Sequence, residues 1–228
     1  MKTKESKSEF SRRALLLMAG SAGLAGCDAP FGLDYGTIKN IAAVSVGLED
    51  PPGVTLAQAS QMPYSSIGYR IGKSSEGMLI LASQTDQELL WTSADRIALM
   101  TRNGRIVKTG GLRWNLSGTS FRYAAPRQGN LSRIASPGIT HRSLDFNDIN
   151  RFSVRVEGRF EPLGTQSINI LGSDLSTVAF VEHCSSQDID WEFQNSFWVD
   201  SESGFVWKSV QTVHPKQPPI SVEVLRPP

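Results

Sequence analysis

Cysteine is scarce in this chain, with two in 228 residues, and that scarcity excludes a disulfide-stapled scaffold. A bias of charge is also missing: 23 basic side chains stand against 22 acidic ones, so electrostatics give no case for nucleic-acid binding. Long apolar runs are absent too. The longest uncharged stretch near the start, "ALLLMAGSAGLAG", covers 13 residues and as a helix would reach about 20 Å, short of the roughly 30 Å hydrocarbon core. A transmembrane helix is therefore not expected. The three histidines, His141, His183 and His214, are far apart and show no metal-ligand spacing with carboxylates or Cys184. No glycine-rich phosphate loop, nucleophile elbow or nucleotide motif is present, and no cofactor is expected.

What is present begins with the order of segments at the N-terminus. A polar, lysine- and arginine-bearing stretch precedes the 13-residue apolar run, and small residues close it, which is the layout of an export signal. Leu24-Ala25-Gly26-Cys27 resembles the lipobox of bacterial lipoproteins. That resemblance implies a thioether from Cys27 to diacylglycerol, cleavage before Cys27 and acylation of the new amine, palmitate being such a chain. Two or three acyl chains hold a protein firmly where one binds marginally. Ser11-Arg12-Arg13-Ala14-Leu15-Leu16 also resembles a twin-arginine signal, so both export routes stay open. Asp28 bears on inner- versus outer-membrane sorting and leaves that open as well. The expected location is the cell envelope, lipid-anchored and facing the periplasm. Residues 1–26 hold five of the basic and two of the acidic side chains, which leaves 18 against 20 and a formal charge of −2.

The expected layout is a signal peptide at 1–26, a lipidated tether at 27–53 and one β domain at 54–228. The tether carries at most one short amphipathic turn around Ile38–Val46, and Asp50-Pro51-Pro52-Gly53 stops it. Thr55-Leu56-Ala57-Gln58 matches a capping box and predicts a short helix to about Gln61. Beyond Tyr64, short runs rich in Ile, Leu, Tyr and Trp alternate with polar or glycine-rich turns, the pattern of strands. Asn103-Gly104 is a favoured two-residue hairpin turn and predicts the pairs Arg102–Arg105, Thr101–Ile106 and Met100–Val107. Gly110 to about Pro137 reads as loop. In Arg151–Phe160, Phe152, Val154, Val156 and Phe160 alternate with Arg151, Arg155 and Arg159, so one face is in and one out. Separate strands are expected at "RFSVRVEGRFEP" and "QSINILGS". Trp191, Phe193, Phe197 and Val199 share a face, and Asp200–Gly204 turns that strand back into Phe205–Val213. The fold class is mainly β: an antiparallel curved sheet or barrel with one or two short helices near the N-terminus.

"QMPYSSIGYRIG", "LLWTSADRIALMTRNGRIVKTGGLRWNL", "HRSLDF" and "FQNSFWVDSESGFVWKSVQTVHP", with "ISVEVLRPP" at the end, together resemble the YjbF lipoproteins, also called the group 4 capsule formation or GfcB-like family. The blocks agree in order and spacing from about Val54 onward. The resemblance implies a lipidated, mostly β protein acting with exopolysaccharide or capsule secretion, with no catalytic residues to carry over.

Four constellations carry possible chemistry. Asp188, Asp190 and Glu192 in "DIDWE" would share one side of a strand at roughly 7 Å, a spacing known in inverting glycosidases, although acids on an outer strand face are commonplace. His183 and Cys184 are adjacent, so in a strand they point to opposite faces and cannot act as a pair; Cys184 reads as a buried small hydrophobe. Arg102 and Arg105 face each other beside the hairpin turn with Lys108 further along, a candidate contact for an acidic glycan or anion, against the plainer reading of a solvated turn. The five tryptophans offer sugar-stacking surfaces, but at least three are expected in the core. The expectation is no enzyme. It is a lipid-anchored module that assists polysaccharide assembly or export by binding glycan or the export machinery. The alternative is a carrier of an apolar or lipid-linked ligand in a barrel cavity, which needs an unfilled interior.

Overall fold

The computed structural model describes residues 53–121 and 138–228, within the compact unit Glu49–Pro228. Cys27, the signal and most of the tether lie outside the described residues. The chain enters through helix α1 (Leu56–Gln61), closed at its start by the expected box: Gln58 N–H donates to Thr55 Oγ1, and Thr55 N–H donates to Gln58 Oε1 at 2.8 Å.

Twelve strands follow, all antiparallel and in one sheet. They are β1 (Ser66–Ile71), β2 (Gly77–Gln84), β3 (Leu89–Thr92), β4 (Ala98–Arg102), β5 (Arg105–Gly110) and β6 (Gly118–Phe121), then β7 (Gly138–Phe146), β8 (Arg151–Ile170), β9 (Ser173–Ser186), β10 (Trp191–Asp200), β11 (Val206–Gln211) and β12 (Ile220–Arg226). Their order is β5-β4-β3-β2-β1-β12-β11-β10-β9-β8-β7-β6. Each strand therefore lies beside its sequence neighbour, apart from the β1–β12 join that links the two halves. The sheet curls until its two edges meet: Thr109 N–H of β5 donates to the Leu116 carbonyl at 2.8 Å, and Thr119 Oγ1 of β6 donates to the Val107 carbonyl at 2.9 Å. The result is a nearly closed barrel.

Barrels of more than eight strands tend to leave a lumen. Here the β4–β5 hairpin is drawn across the interior to β11, five strands away from β4 along the sheet by way of β1 and β12. Gln211 on β11 accepts from Ile106 N–H at 3.0 Å and donates to the Gly104 carbonyl at 2.8 Å. Gly104 permits this approach, because a Cβ there would lie 2.4 Å from Val206 Cβ, and its φ of +76° suits the turn. The space left is filled by two apolar clusters, one of Ile67, Leu79, Trp91, Leu99, Phe146 and others, the second of Phe160, Phe180, Phe197, Val199 and Val206.

The Asn103-Gly104 hairpin forms, with Arg102 opposite Arg105 and Thr101 opposite Ile106. Met100, however, pairs with Lys108 and not Val107, because a bulge between Met100 and Thr101 lets both Ile106 and Val107 be buried. β8 is one 20-residue strand where two were expected. It passes Pro162 after β7 has ended opposite Phe160, where no partner on that side needs a proline N–H, and a bulge at Pro162–Gly164 absorbs the irregularity. Phe152 is exposed, unlike Val154, Val156 and Phe160. Ser153 adopts φ +53° and its N–H donates to Asp145 Oδ1 at 2.7 Å, which breaks the alternation before it starts. β6 lies inside the stretch expected to be loop, and residues 122–137 of that stretch are outside the described residues.

Candidate functional site

The barrel interior has a polar centre built from four strands. Glu182 on β9 is fully buried. Arg105 on β5 donates to it with both terminal nitrogens, at 2.8 and 2.9 Å. Arg142 on β7 adds a bond at 2.8 Å and a longer one at 3.4 Å. Asn195 Nδ2 on β10 donates at 2.8 Å and Thr140 Oγ1 at 3.2 Å. Gly158 on β8 leaves room for the carboxylate, since a Cβ there would lie 2.4 Å from Glu182 Oε1. The Arg105 guanidinium also sits 5.2 Å from the Phe197 ring centroid and 5.9 Å from that of Phe160.

Burial pushes the Glu182 carboxyl up, but the charges of Arg105 and Arg142 and their hydrogen bonds outweigh it and hold the group well below the usual carboxylate range. Two guanidinium groups and one carboxylate leave the centre with one excess positive charge. Cys184 lies at its edge and accepts from Arg142 at 3.2 Å. Burial and the Glu182 charge push its thiol up to about 12, so it is a neutral, poor nucleophile. Every acceptor of Glu182 is committed, and neither side chain is poised for chemistry.

The sequence-predicted cations part company here. Arg105 is half-buried on Glu182; Arg102 is ion-paired with Glu88 and stacks 5.2 Å from the Phe121 centroid; Lys108 is exposed. The hairpin turn thus gives each arginine a partner of its own. The "DIDWE" acids do not share a strand face: residues 187–190 form the β9–β10 turn, Asp190 sits at φ +48°, and only Glu192 is in β10. Asp188 instead binds the exposed Arg155 guanidinium at 2.6 Å, and these bonds bring its carboxyl down to about 2. His183 points away from Cys184, toward Gln194 and Glu161. Among the described residues no group of three or more His, Cys, Asp and Glu is placed to hold a metal ion. Trp91 and Trp198 are buried, and Trp191 and Trp207 pack against the larger cluster.

Sequence reasoning missed Glu182, Arg142, Asn195 and Thr140. One signal was available. In "STVAFVEHCSS" Glu182 takes the parity of the buried Phe180 and Cys184, and an acid facing inward from an apolar strand requires a cation.

The two barrel ends differ. At one, the buried His214 stacks on Trp114 with centroids 5.7 Å apart and binds Asp148 at 3.2 Å, while Lys216 and Arg113 lie over the outer tryptophan. At the other, the β2–β3, β4–β5 and β10–β11 turns surround a cavity of about 260 Å³. Its floor is apolar, with Ile67, Leu89, Trp91, Val222 and Val224; Phe205 and Trp207 form an aromatic wall with centroids 4.8 Å apart; Gln84, Asp86 and Gln87 form a polar rim.

The described residues form a filled, nearly closed antiparallel barrel with a locked ionic centre and a cavity at one end. The model of the family described as "Group 4 capsule polysaccharide lipoprotein gfcB, YjbF" matches residues 36–225, and the chain belongs to that family. It is 27% identical over 218 residues to the uncharacterized lipoprotein GfcB of Escherichia coli K12, covering 94% of this chain and 99% of that protein. It is 28% identical over 158 residues to the uncharacterized lipoprotein YjbF of the same organism, covering 66% and 71%. The crystal structure of the E. coli K12 lipoprotein YmcC shares the fold, with a TM-score of 0.68 at 24% identity, covering 87% of this chain and 98% of that one.

Proposed function

We propose that the chain is a lipid-anchored, periplasm-facing module that assists assembly or export of a surface polysaccharide by binding glycan or a partner of the export machinery, without turnover. The observation that carries this reading is the family match over residues 36–225. The geometry favours binding over catalysis, because the buried acid is saturated by arginines and the buried thiol is held protonated. It also favours a module over a barrel-lumen carrier. The interior that a lipid would need is occupied by two apolar clusters and the inward-drawn hairpin. Cys27 supplies the anchor, and its lipidation keeps the domain at the membrane surface.

The test is deletion of the gene followed by complementation with the natural chain or with Cys27→Ser. Surface polysaccharide is expected to fall on deletion, to return with the natural chain, and to return poorly with C27S, which also fails to incorporate labelled palmitate. Unchanged surface polysaccharide in the deletion strain would overturn the pathway assignment. Full rescue by C27S would overturn the need for the anchor.

A further inference from the structure

We infer that the cavity among the β2–β3, β4–β5 and β10–β11 turns is a binding site for a single neutral sugar ring, the terminal or an exposed unit of the glycan; this rests on the polysaccharide role proposed above. Volume comes first. At about 260 Å³ the cavity is smaller than the roughly 300–1,000 Å³ of drug-sized sites, so it holds one ring and not an oligosaccharide or a folded acyl chain. Nor does it open inward: Trp91 closes the floor, its Nε1 fixed to Thr101 Oγ1 at 2.9 Å.

The lining chemistry matches a pyranose. A sugar ring has an apolar C–H face and a hydroxyl periphery. Phe205 and Trp207, half-buried and set edge to face, offer aromatic surface for the first. The exposed side chains of Gln84, Asp86 and Gln87 ring the mouth and form no hydrogen bond or ion pair with another described residue. They offer donors and acceptors for the second. An acyl chain would take no hydrogen bond from those heads, so they would add nothing to its affinity.

Charge decides between neutral and acidic sugars. The cation among the described lining residues is Lys208, and its ammonium is turned away, 2.5 Å from Glu223 and 5.7 Å from the Trp198 centroid. Among the described residues no cation pairs with Asp86 on the rim. A uronic acid or phosphate there would meet repulsion from Asp86 and no free cation among the described lining residues. The residues predicted from sequence to contact an anion, Arg102 and Arg105, are held by Glu88 and Glu182.

The experiment uses the full mature chain carrying Cys27→Ser, labelled with ¹⁵N, and follows the indole signals of Trp91 and Trp207 and the side-chain amides of Gln84 and Gln87. The probes are the methyl glycosides of glucose, galactose and N-acetylglucosamine, with methyl glucuronide and decanoate alongside. At least one neutral glycoside is expected to shift the Trp207 and Gln87 signals with millimolar affinity, and methyl glucuronide to bind about tenfold more weakly or not at all. Gln87→Ala, on an exposed turn, is expected to weaken binding about tenfold with the spectrum otherwise unchanged. Asp86→Asn is expected to narrow the gap between neutral and acidic glycosides. The inference is overturned if no glycoside shifts these signals, if glucuronide binds as well as the neutral sugars, or if decanoate alone binds. Failure here with loss of surface polysaccharide in the deletion strain removes only the sugar site. Glycoside binding with an unchanged deletion strain removes the pathway and leaves a sugar-binding protein.

Discussion

Glu182 and Asp86 are carboxylates on one barrel in opposite circumstances. Glu182 accepts from Arg105, Arg142, Asn195 and Thr140 at the barrel centre and has no contact with solvent. Asp86, on the turn between β2 and β3, is exposed beside a cavity and has no such partner among the described residues. The first group is fully engaged by the protein, so its removal must damage the fold. The second is available to a ligand, so its removal must leave the fold alone. Where a charged group's hydrogen-bonding capacity goes, inward or outward, separates structural from functional polarity better than residue type does.

The sharpest way to break that comparison is Glu182→Gln. The substitution keeps the shape and removes the charge, leaving the buried Arg142 and half-buried Arg105 guanidinium groups to repel each other without that counter-ion. Breaking a buried pair this way costs about 3–5 kcal/mol. Urea titration of the C27S chain is expected to show an unfolding free energy lowered by that amount, and a correspondingly lower midpoint, with unchanged secondary structure where the variant stays folded. A loss under 1 kcal/mol would mean that the centre is solvated and available.

Gly104→Ala comes next. A Cβ at φ +76° would press on Val206 where the hairpin crosses to β11, and backbone strain with overpacking costs about 2–3 kcal/mol. Because Arg105 follows directly, the variant is expected to loosen the polar centre as well. Faster hydrogen exchange at Ile106 N–H, which is bonded to Gln211, would report it.

The same comparison explains which features were legible in the sequence. Local signals were read correctly: the capping box at Thr55–Gln58, the Asn103-Gly104 turn, the shared face of Trp191, Phe193, Phe197 and Val199, and the turn at Asp200–Gly204. What failed was set by partners distant in the chain or by single left-handed residues. Arg105 looks like a surface residue until its partner, 77 positions away, is known. Phe152 is turned out by one residue, Ser153, and "DIDWE" is bent into a turn that ends with Asp190 at positive φ. The end cavity was illegible for the same reason: its wall joins turns near residues 86, 104 and 205, and only barrel closure brings them together.

A smaller effect tests the far end of the barrel. Burial lowers the His214 pKa below 6.5 against the opposing pull of Asp148. With a depressed folded-state value, the unfolded chain binds the proton more readily, so stability is full above pH 6.5 and is lost as pH falls through that window. Glu182, also depressed, contributes in the same direction but only below its ordinary value of 4.5. Between pH 6.5 and 4.5 the decline in melting temperature is therefore expected to come from His214, opposed by Glu76, whose carboxyl burial pushes up, and to be removed in His214→Gln. The decline below 4.5 is expected to survive in that variant.

Asp86→Asn has the smallest expected effect on the fold and the largest consequence for the comparison. The side chain is exposed on a turn and bonded to no other described residue, so stability is expected to change by less than about 0.5 kcal/mol. The substitution removes the one acidic group among the described residues lining the cavity while keeping an oxygen acceptor in place. If the rim excludes acidic ligands by charge, methyl glucuronide binding should rise toward that of the neutral glycosides, and its remaining deficit should shrink further with added salt. Were the urea midpoint to fall as it does for Glu182→Gln, Asp86 would be a structural acid with unseen work at the turn, and the distinction between the two carboxylates would fail.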